Sequence, residues 1–271
     1  MNAVKDKRFK LILQYDGSGF HGWQMQHEER TVQGELEAAL ERLTNARRPV
    51  IGSGRTDRGV HATGQVAVAS LPGNWQPEKL EKALSAVLPK DIWIESVELA
   101  SPDFHPRYDA VKRTYVYHLG ISAESASPFH RRWCWPLAKP TDVSLLQSAA
   151  DVIVGEHSFK AFAKSGQPER GDRCNVFEAR WDPWEKLGLT LRISANRFLH
   201  HMVRYLVGTM VDIARRKRPL EDLQPLLEEP DCGLLTSPPA PPTGLFLHHV
   251  TYPAHPSALE RGSPLTEHTT S

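Results

Sequence analysis

The sequence is poor in cysteine, and the cysteines it has form no pairing pattern. Cys134, Cys174 and Cys232 are odd in number, far apart, and without the CxxC spacing of zinc-binding knuckles. This excludes a disulfide framework and predicts a reducing, cytoplasmic location. At 271 residues, 40% of them hydrophobic and 24% charged, the chain is long enough to bury a core without covalent or metal crosslinks.

Long hydrophobic runs are also missing. The N-terminal segment has only a four-residue apolar core before Gln14, which is too short for a signal peptide. The longest helix-like apolar stretch, residues 198–214, contains two histidines, Arg204 and Asp212, and such a stretch would not sit in lipid. We therefore expect a soluble protein with no membrane partner.

The chain lacks an overall charge of one sign, since its formal net charge is +1. The basic excess is local: residues 192–218 hold seven basic side chains and only one acid. The four basic residues at 215–218 are explained equally well by a solvent-exposed helix face and by a nucleic-acid-binding surface. A solvent-exposed helix face explains Arg197 and Arg204 poorly, because both lie within an apolar run.

The hydrophobic pattern predicts an α+β fold with mostly antiparallel strands. Period-two alternation or β-branched composition indicates strands at 9–15, 92–99, 110–121, 176–181, 187–195 and 245–252. Helical spacing indicates helices that start near residues 31, 77, 141 and 198. The loop near residue 135 is the expected boundary between lobes at 1–135 and 136–255, each with strands and a main helix. Residues 256–271 are expected to be disordered.

Residues 52–65 are the most distinctive segment for chemistry. Four glycines surround Arg55, Thr56, Asp57, Arg58 and His61. Glycine-dense loops permit sharp turns, and positive charge on both sides favours an ionised carboxylate. Asp57 is thus a candidate nucleophile or general base. The competing interpretation is that Asp57 only caps a turn through its own backbone.

Two further segments carry candidate residues. Tyr115 and Tyr117 share one strand face, where one could stack on a base or transfer a proton, or both could simply be core aromatics. Arg204, on an apolar helix, needs a buried anionic partner or a route to solvent. Asp57 is the partner we predict for it.

The histidines provide little support for a metal site. On a helix, the adjacent His200 and His201 would face about 100° apart rather than share a ligand position. His248 and His249 would point to opposite faces of a strand. HExxH and acidic-ladder patterns are missing, so we expect no metal.

Six ordered segments together resemble the tRNA pseudouridine synthase A family. They read YDGSGFHGWQMQ, TVQGELEAAL, GSGRTDRGVHATGQV, DFHPRYDAVKRTYVY, SANRFLHHMVRYLVGTM and TGLFLHHVTYP, and they span residues 9 to 252. The resemblance implies the pseudouridine synthase fold, with two similar lobes that share a mostly antiparallel sheet around a central active-site cleft. It also implies a homodimer that isomerises uridine to pseudouridine at positions 38, 39 and 40 of the tRNA anticodon stem-loop, without a cofactor.

Matched residue by residue, the resemblance assigns Asp57 as the catalytic aspartate, Tyr115 as the active-site tyrosine and Arg204 as the arginine that pairs with the aspartate. Arg55 matches a loop arginine that helps to hold the base out of its stack, and Leu245 matches an apolar residue of the uracil pocket. Two departures from the family pattern are Arg58, in place of a small residue, and DRCNV at residues 172–176. Either could alter contacts with RNA.

Two other functions remain open at this stage. A non-catalytic RNA-binding protein on the same scaffold would keep the basic helix without needing Asp57. A hydrolase with Asp57 as nucleophile would need a second carboxylate as its acid, and none accompanies Asp57 in its loop.

Overall fold

The computed structural model describes residues 5–164, 171–228 and 233–253. Within them, ten strands form one sheet: β1 (Asp6–Tyr15), β2 (Val50–Gly52), β3 (His61–Pro72), β4 (Ile92–Ala100), β5 (Lys112–Gly120), β6 (Trp135–Pro136), β7 (Gly155–Ser158), β8 (Arg173–Trp184), β9 (Gly188–Ala195) and β10 (Leu245–Thr251). The helices are α1 (Val32–Thr44), α2 (Pro77–Val87), α3 (Val143–Val152), α4 (Met202–Ala214) and α5 (Leu223–Glu228).

The strand order is β4-β1-β3-β10-β5-β9-β8-β7, with β2 paired to β3 and β6 to β5. Neighbours are antiparallel except for the β10–β3 and β5–β6 pairs. The last strand therefore lies in the interior of the sheet, because β10 pairs with β3 on one side and with β5 on the other. The predicted α+β class with a mostly antiparallel sheet is confirmed. The lobe boundaries at 1–135 and 136–255 stay a prediction, and residues 256–271 lie outside the described residues.

Local sequence signals explain where most of the helices begin and end. Thr31 caps α1 by accepting a hydrogen bond from the Gly34 amide at 3.2 Å, as an N-cap threonine should. Pro77 opens α2, where its missing N–H costs nothing. The third helix starts at Val143 rather than at residue 141, because the Asp142 carboxylate accepts from the Leu145 amide and so caps the helix one position before it begins.

The prediction for the fourth helix was wrong by one turn. The apolar spacing indicated a start at Phe198, but α4 begins at Met202. His201 adopts the left-handed conformation with φ of 64°, which interrupts a right-handed helix. Residues 198–201 therefore run as an irregular segment before α4, and this changes where their side chains point.

The core is one continuous cluster that the helices build against the sheet. On the N-terminal side, α1 and α2 bury Leu36, Leu40, Leu80 and Leu84; on the C-terminal side, α3 and α4 bury Leu146, Ala149, Leu206 and Met210. Among the described residues, no helix has the length and apolar character needed to cross a membrane.

Candidate active site

A large cleft opens between the glycine-rich loop before β3 and the irregular segment before α4. Its volume is ≈ 1710 Å³. Arg55, Asp57, Tyr115 and Leu245 all line it, although they come from three distant parts of the sequence. The fold thus brings together four of the five residues that the sequence singled out, and the fifth, Arg204, contacts Asp57 from α4.

Asp57 lies at a sharp turn that a neighbouring backbone segment packs against. The Trp23 amide donates to the Thr56 carbonyl at 3.0 Å, and the Val60 amide closes the turn by donating to the Asp57 carbonyl at 3.1 Å. Gly22, with φ of 92°, approaches so closely that a Cβ there would lie 2.7 Å from the Thr56 oxygen. Only glycine fits that position, so the loop DGSGFHGW positions the turn that carries Asp57.

A network of buried hydrogen bonds supports the same turn from the protein interior. Tyr15 and Thr56 share a hydrogen bond of 2.8 Å between their hydroxyls. The fully buried Gln65 accepts from the Ser53 hydroxyl at 2.7 Å and donates to the Gly54 carbonyl at 2.9 Å. Because burying an unpaired amide or hydroxyl is costly, these partners hold each other in one arrangement.

Arg113 adds a support that sequence reasoning missed. It is buried on β5, on the same strand face as Tyr115, and its guanidinium donates to the carbonyls of Ser53 at 2.9 Å and Asn196 at 3.1 Å. It therefore ties the loop before β3 to the segment that follows β9. The sequence signal that could have identified it is its two-residue spacing from Tyr115.

The Asp57 carboxylate is contacted by three nitrogen-bearing side chains. Arg204 Nη1 lies 3.6 Å from Oδ2, so the predicted pairing of these two residues is present. Arg204 Nε also donates to the Ala240 carbonyl at 2.8 Å, which fixes the guanidinium on its buried side. The remaining two contacts come from His200 and His201.

The prediction that His200 and His201 point in different directions was wrong. His200 Nε2 lies 3.3 Å from Asp57 Oδ1, and His201 Nε2 lies 3.3 Å from Asp57 Oδ2. The reason is the conformation already described: the two residues precede α4, and the left-handed backbone at His201 turns both rings toward the carboxylate. Burial lowers the pKa of His201, Asp57 opposes that shift, and the Arg204 charge adds to it.

Tyr115 forms an aromatic wall of the cleft. Its ring meets the edge of Phe198, with ring centres 5.0 Å apart and planes at 83°. Burial raises the pKa of the phenol to about 12, with a smaller opposing effect from the Arg113 charge. The hydroxyl is therefore protonated near neutral pH. Leu245, at the start of β10, is buried nearby in the same cleft lining.

The cleft lining is strongly basic although the whole chain is nearly neutral. Seven cationic side chains line it against the two carboxylates of Asp57 and Asp172. Arg55 and Arg58 flank Asp57 in the turn, and both are exposed. The cationic residues are Arg55, Arg58, Arg107, Arg113, Lys160, Lys164 and Arg197. Such a lining suits a polyanionic ligand.

Comparison with known proteins places this geometry in a broader context. A family model described as tRNA pseudouridine synthase matches residues 11–109 and 149–253. The chain is 41% identical over 248 residues to a protein of Dictyoglomus thermophilum, which covers 90% of this chain and 99% of that one. It is 38% identical over 249 residues to a protein of Maridesulfovibrio salexigens, covering 91% and 90%. A protein of Streptococcus sanguinis is 38% identical over 90% of this chain and 98% of its own length. All three relatives are named tRNA pseudouridine synthase A.

Proposed function

This chain belongs to the tRNA pseudouridine synthase family, and on that basis we propose that it converts uridine to pseudouridine at positions 38, 39 and 40 of the tRNA anticodon stem-loop. It is an isomerase that acts on uridine in tRNA. Membership of an enzyme family argues against the alternative function, a non-catalytic RNA-binding protein on the same scaffold. The single observation that carries the proposed chemistry is Asp57, held at a braced turn inside a basic cleft with Arg204 beside it.

The reaction is a rearrangement within one nucleoside. The bond from N1 of uracil to C1′ of the ribose breaks, and a bond from C5 to C1′ forms. The C5 proton leaves and N1 takes up a proton, so the product has the mass of the substrate. Oxidation and reduction do not occur, and the sequence accordingly led us to expect no cofactor.

Asp57 is the proposed nucleophile. Its carboxylate is partly exposed in the cleft, so it can meet a nucleotide that has left its stack. Arg204 would orient that carboxylate through the 3.6 Å contact, because its guanidinium is itself anchored on the Ala240 carbonyl. Arg204 is thus a positioning residue, since it reaches the substrate only through Asp57.

Tyr115, Leu245 and Arg55 would form the uridine pocket around it. Tyr115 and Leu245 provide a buried aromatic and a buried apolar surface for the uracil ring. Tyr115 would also assist removal of the C5 proton: its neutral hydroxyl would pass its own proton to water in the cleft as its oxygen accepts the proton from C5. Arg55, exposed at the mouth of the turn, would occupy the position that the base leaves. Extruding a base costs about a few kcal/mol, which contacts between the cationic lining and phosphates would offset.

The proposed biological unit is a cytoplasmic homodimer. A tRNA is long compared with a 30.5 kDa chain, so a second copy would extend the basic surface available to it. Cys134 and Cys174 are buried free thiols, as suits a reducing compartment. Light scattering of the purified chain at micromolar concentration tests the dimer, and a mass near 30.5 kDa would contradict it.

Chemical mapping of pseudouridine tests the substrate positions. Total tRNA from a deletion strain is compared with tRNA from the same strain complemented with the wild-type chain or with Asp57→Ala. The wild-type chain should restore labelling at positions 38, 39 and 40, and Asp57→Ala should not. Labelling restored at other uridines would overturn the positions while leaving the reaction intact. Release of free uracil would instead indicate a hydrolase.

A further inference from the structure

Asp57, His200 and His201 form a cluster with the composition of a metal site. Their ligand atoms all lie within 4.8 Å of one another. Each imidazole nitrogen lies 3.3 Å from a different oxygen of the Asp57 carboxylate. Two histidines and one carboxylate are a ligand set that Zn²⁺ uses in proteins when one coordination position stays open.

The spacing of these atoms fits a small tetrahedral ion. With zinc–ligand bonds of about 2.0–2.1 Å, neighbouring ligands of a tetrahedron are about 3.3 Å apart. Each nitrogen–oxygen separation in this cluster has that value, although each ends on a different oxygen of the Asp57 carboxylate. The three ligand atoms lie within 4.8 Å of one another, so small side-chain movements would bring them to the distances that one ion needs. From this geometry we propose that Asp57, His200 and His201 bind Zn²⁺ or a similar divalent ion, which inhibits the enzyme by occupying the catalytic carboxylate.

The backbone holds the two histidines in this arrangement before any ion arrives. The left-handed conformation at His201 directs both rings to one side, and the His200 carbonyl accepts a hydrogen bond from the Lys164 amide at 3.0 Å. The His200 side chain is 54% exposed, so an ion can enter from solvent. The site is therefore preorganised and open, unlike a closed structural zinc site.

Nearby positive charge limits the affinity and sets the role of the site. Arg204 lies 3.6 Å from Asp57 Oδ2, and Lys164 adds a second cation close to His201. A divalent ion must bind against both charges, which argues for reversible inhibition rather than for a resident cofactor. Bound metal and the reacting nucleoside would compete for the same carboxylate, so occupancy and turnover exclude each other.

Cobalt spectroscopy tests the binding without using activity. Tetrahedral Co²⁺ with nitrogen and oxygen ligands gives visible absorption bands that the octahedral aqueous ion lacks. Co²⁺ added to the full-length protein should produce these bands, and Zn²⁺ should remove them by displacement. His200→Gln and His201→Gln should each weaken Zn²⁺ binding at least about tenfold in calorimetry, which corresponds to about 1.4 kcal/mol.

Two further variants make the test specific to this cluster. His27→Gln is the matched control, because His27 also lies near one carboxylate, at 3.6 Å from Glu28, but is exposed and belongs to no group of three possible metal ligands among the described residues. It should bind Zn²⁺ as the wild type does. Arg204→Gln removes a repelling charge and should bind Zn²⁺ more tightly. Weaker Zn²⁺ binding by the histidine variants together with tighter binding by Arg204→Gln could not result from misfolding, because misfolding would weaken binding in every variant.

Inhibition is measured separately from binding. Zn²⁺ should slow uridine isomerisation reversibly, with the rate restored by a chelator. The inhibition constant for His200→Gln, taken relative to its own metal-free rate, should rise by the same factor as its dissociation constant. Equal Zn²⁺ affinity in wild type, His200→Gln and His201→Gln overturns the site. Tight binding at the cluster without inhibition would overturn the inhibitory role proposed here, and it would also contradict the proposed catalytic role of Asp57.

Discussion

The side chains around Asp57 differ in how rigidly each one is held. Arg204 is fixed at both ends, by Asp57 and by the Ala240 carbonyl, whereas the exposed His200 is held through its backbone. The proposed reaction requires the carboxylate to turn toward a ribose carbon, and the exposed His200 is the partner that can move aside most easily. We therefore expect the His200 contact to open during turnover while Arg204 stays anchored on the Ala240 carbonyl.

Tyr115→Phe separates the two roles proposed for this residue. The substitution keeps the aromatic wall against Phe198 but removes the hydroxyl oxygen. If that oxygen accepts the C5 proton, kcat should fall by about 10²-fold or more, since general acid–base groups contribute about that much. KM should stay nearly unchanged because the stacking surface remains. Steady-state kinetics measure both, and an unchanged kcat would show that Tyr115 only packs against the base.

How much of the site the sequence could predict is clearest at single residues. The pairing of Arg204 with Asp57 followed from charge, because a guanidinium within an apolar run needs an anion. The approach of the two histidines could not be predicted. It depends on a left-handed backbone at His201, a conformation that histidine adopts only occasionally and that no residue pattern specifies.

At the scale of elements, the turn that carries Asp57 depends on the loop that packs against it. Residues 17–23 contact the turn through backbone hydrogen bonds: the Trp23 amide donates to the Thr56 carbonyl, and the Gly59 amide donates to the Phe20 carbonyl.

The sequence did not predict the short strands β2, β6 and β7. They have three, two and four residues, which are too few to show the alternating hydrophobic pattern of a strand. Their positions follow from pairing with longer strands.

Gly22→Ala should disrupt the contact between the loop and the turn. The new Cβ would lie 2.7 Å from the Thr56 oxygen at a φ of 92°, so the turn must shift. We expect a loss of roughly 1–3 kcal/mol in the free energy of unfolding together with a fall in kcat, because Asp57 moves with the turn. Urea denaturation and single-turnover kinetics measure the two effects.

Gly233→Ala is the matched control for that substitution. Gly233 also has a positive φ, of 81°, but a Cβ there meets no atom of the described residues within 4 Å. It should lose stability only through backbone strain and keep its turnover rate. If both variants lose activity equally, the close approach at Gly22 does not position Asp57.

At the scale of the whole molecule, the chain is nearly neutral but the cleft lining carries an excess of cations over carboxylates. Binding of tRNA should therefore weaken linearly on a log–log plot against salt concentration. Arg58→Ala removes one exposed cation of the lining and should reduce the magnitude of that slope by about 1. Arg180→Ala, an exposed arginine of β8 that does not belong to the cleft lining, should leave the slope unchanged. An equal change in both would mean that the cleft is not the RNA surface.

Stability of the whole fold should depend on pH through His118. Burial lowers the pKa of this side chain to about 4 from 6.5, while its ring stacks on Trp184 and shares a 2.8 Å hydrogen bond with Thr190. The unfolded chain thus binds a proton that the folded chain does not, between pH 6.5 and pH 4. The stabilisation is complete above pH 6.5 and is lost as the pH falls through that window, by on the order of 3 kcal/mol.

The comparison that isolates His118 uses urea denaturation of two variants over the same pH range. Carboxylates also titrate in this pH range, so the quantity to compare is the difference in unfolding free energy between each variant and the wild type. His118→Gln should flatten the decline in unfolding free energy below pH 6.5. His27→Gln changes an imidazole that is 93% exposed and should reproduce the wild-type curve. Identical curves for all three proteins would contradict the linkage.

The most direct test of the account is tritium release from tRNA labelled at C5 of uridine, measured in a single turnover with Asp57→Ala. Because the reaction is assigned to that carboxylate and the affinity to the surrounding cations, the variant should bind tRNA within about threefold of wild type yet release tritium only at background. Substantial residual release by a variant that still binds tRNA would contradict the assignment of Asp57 as the reacting group.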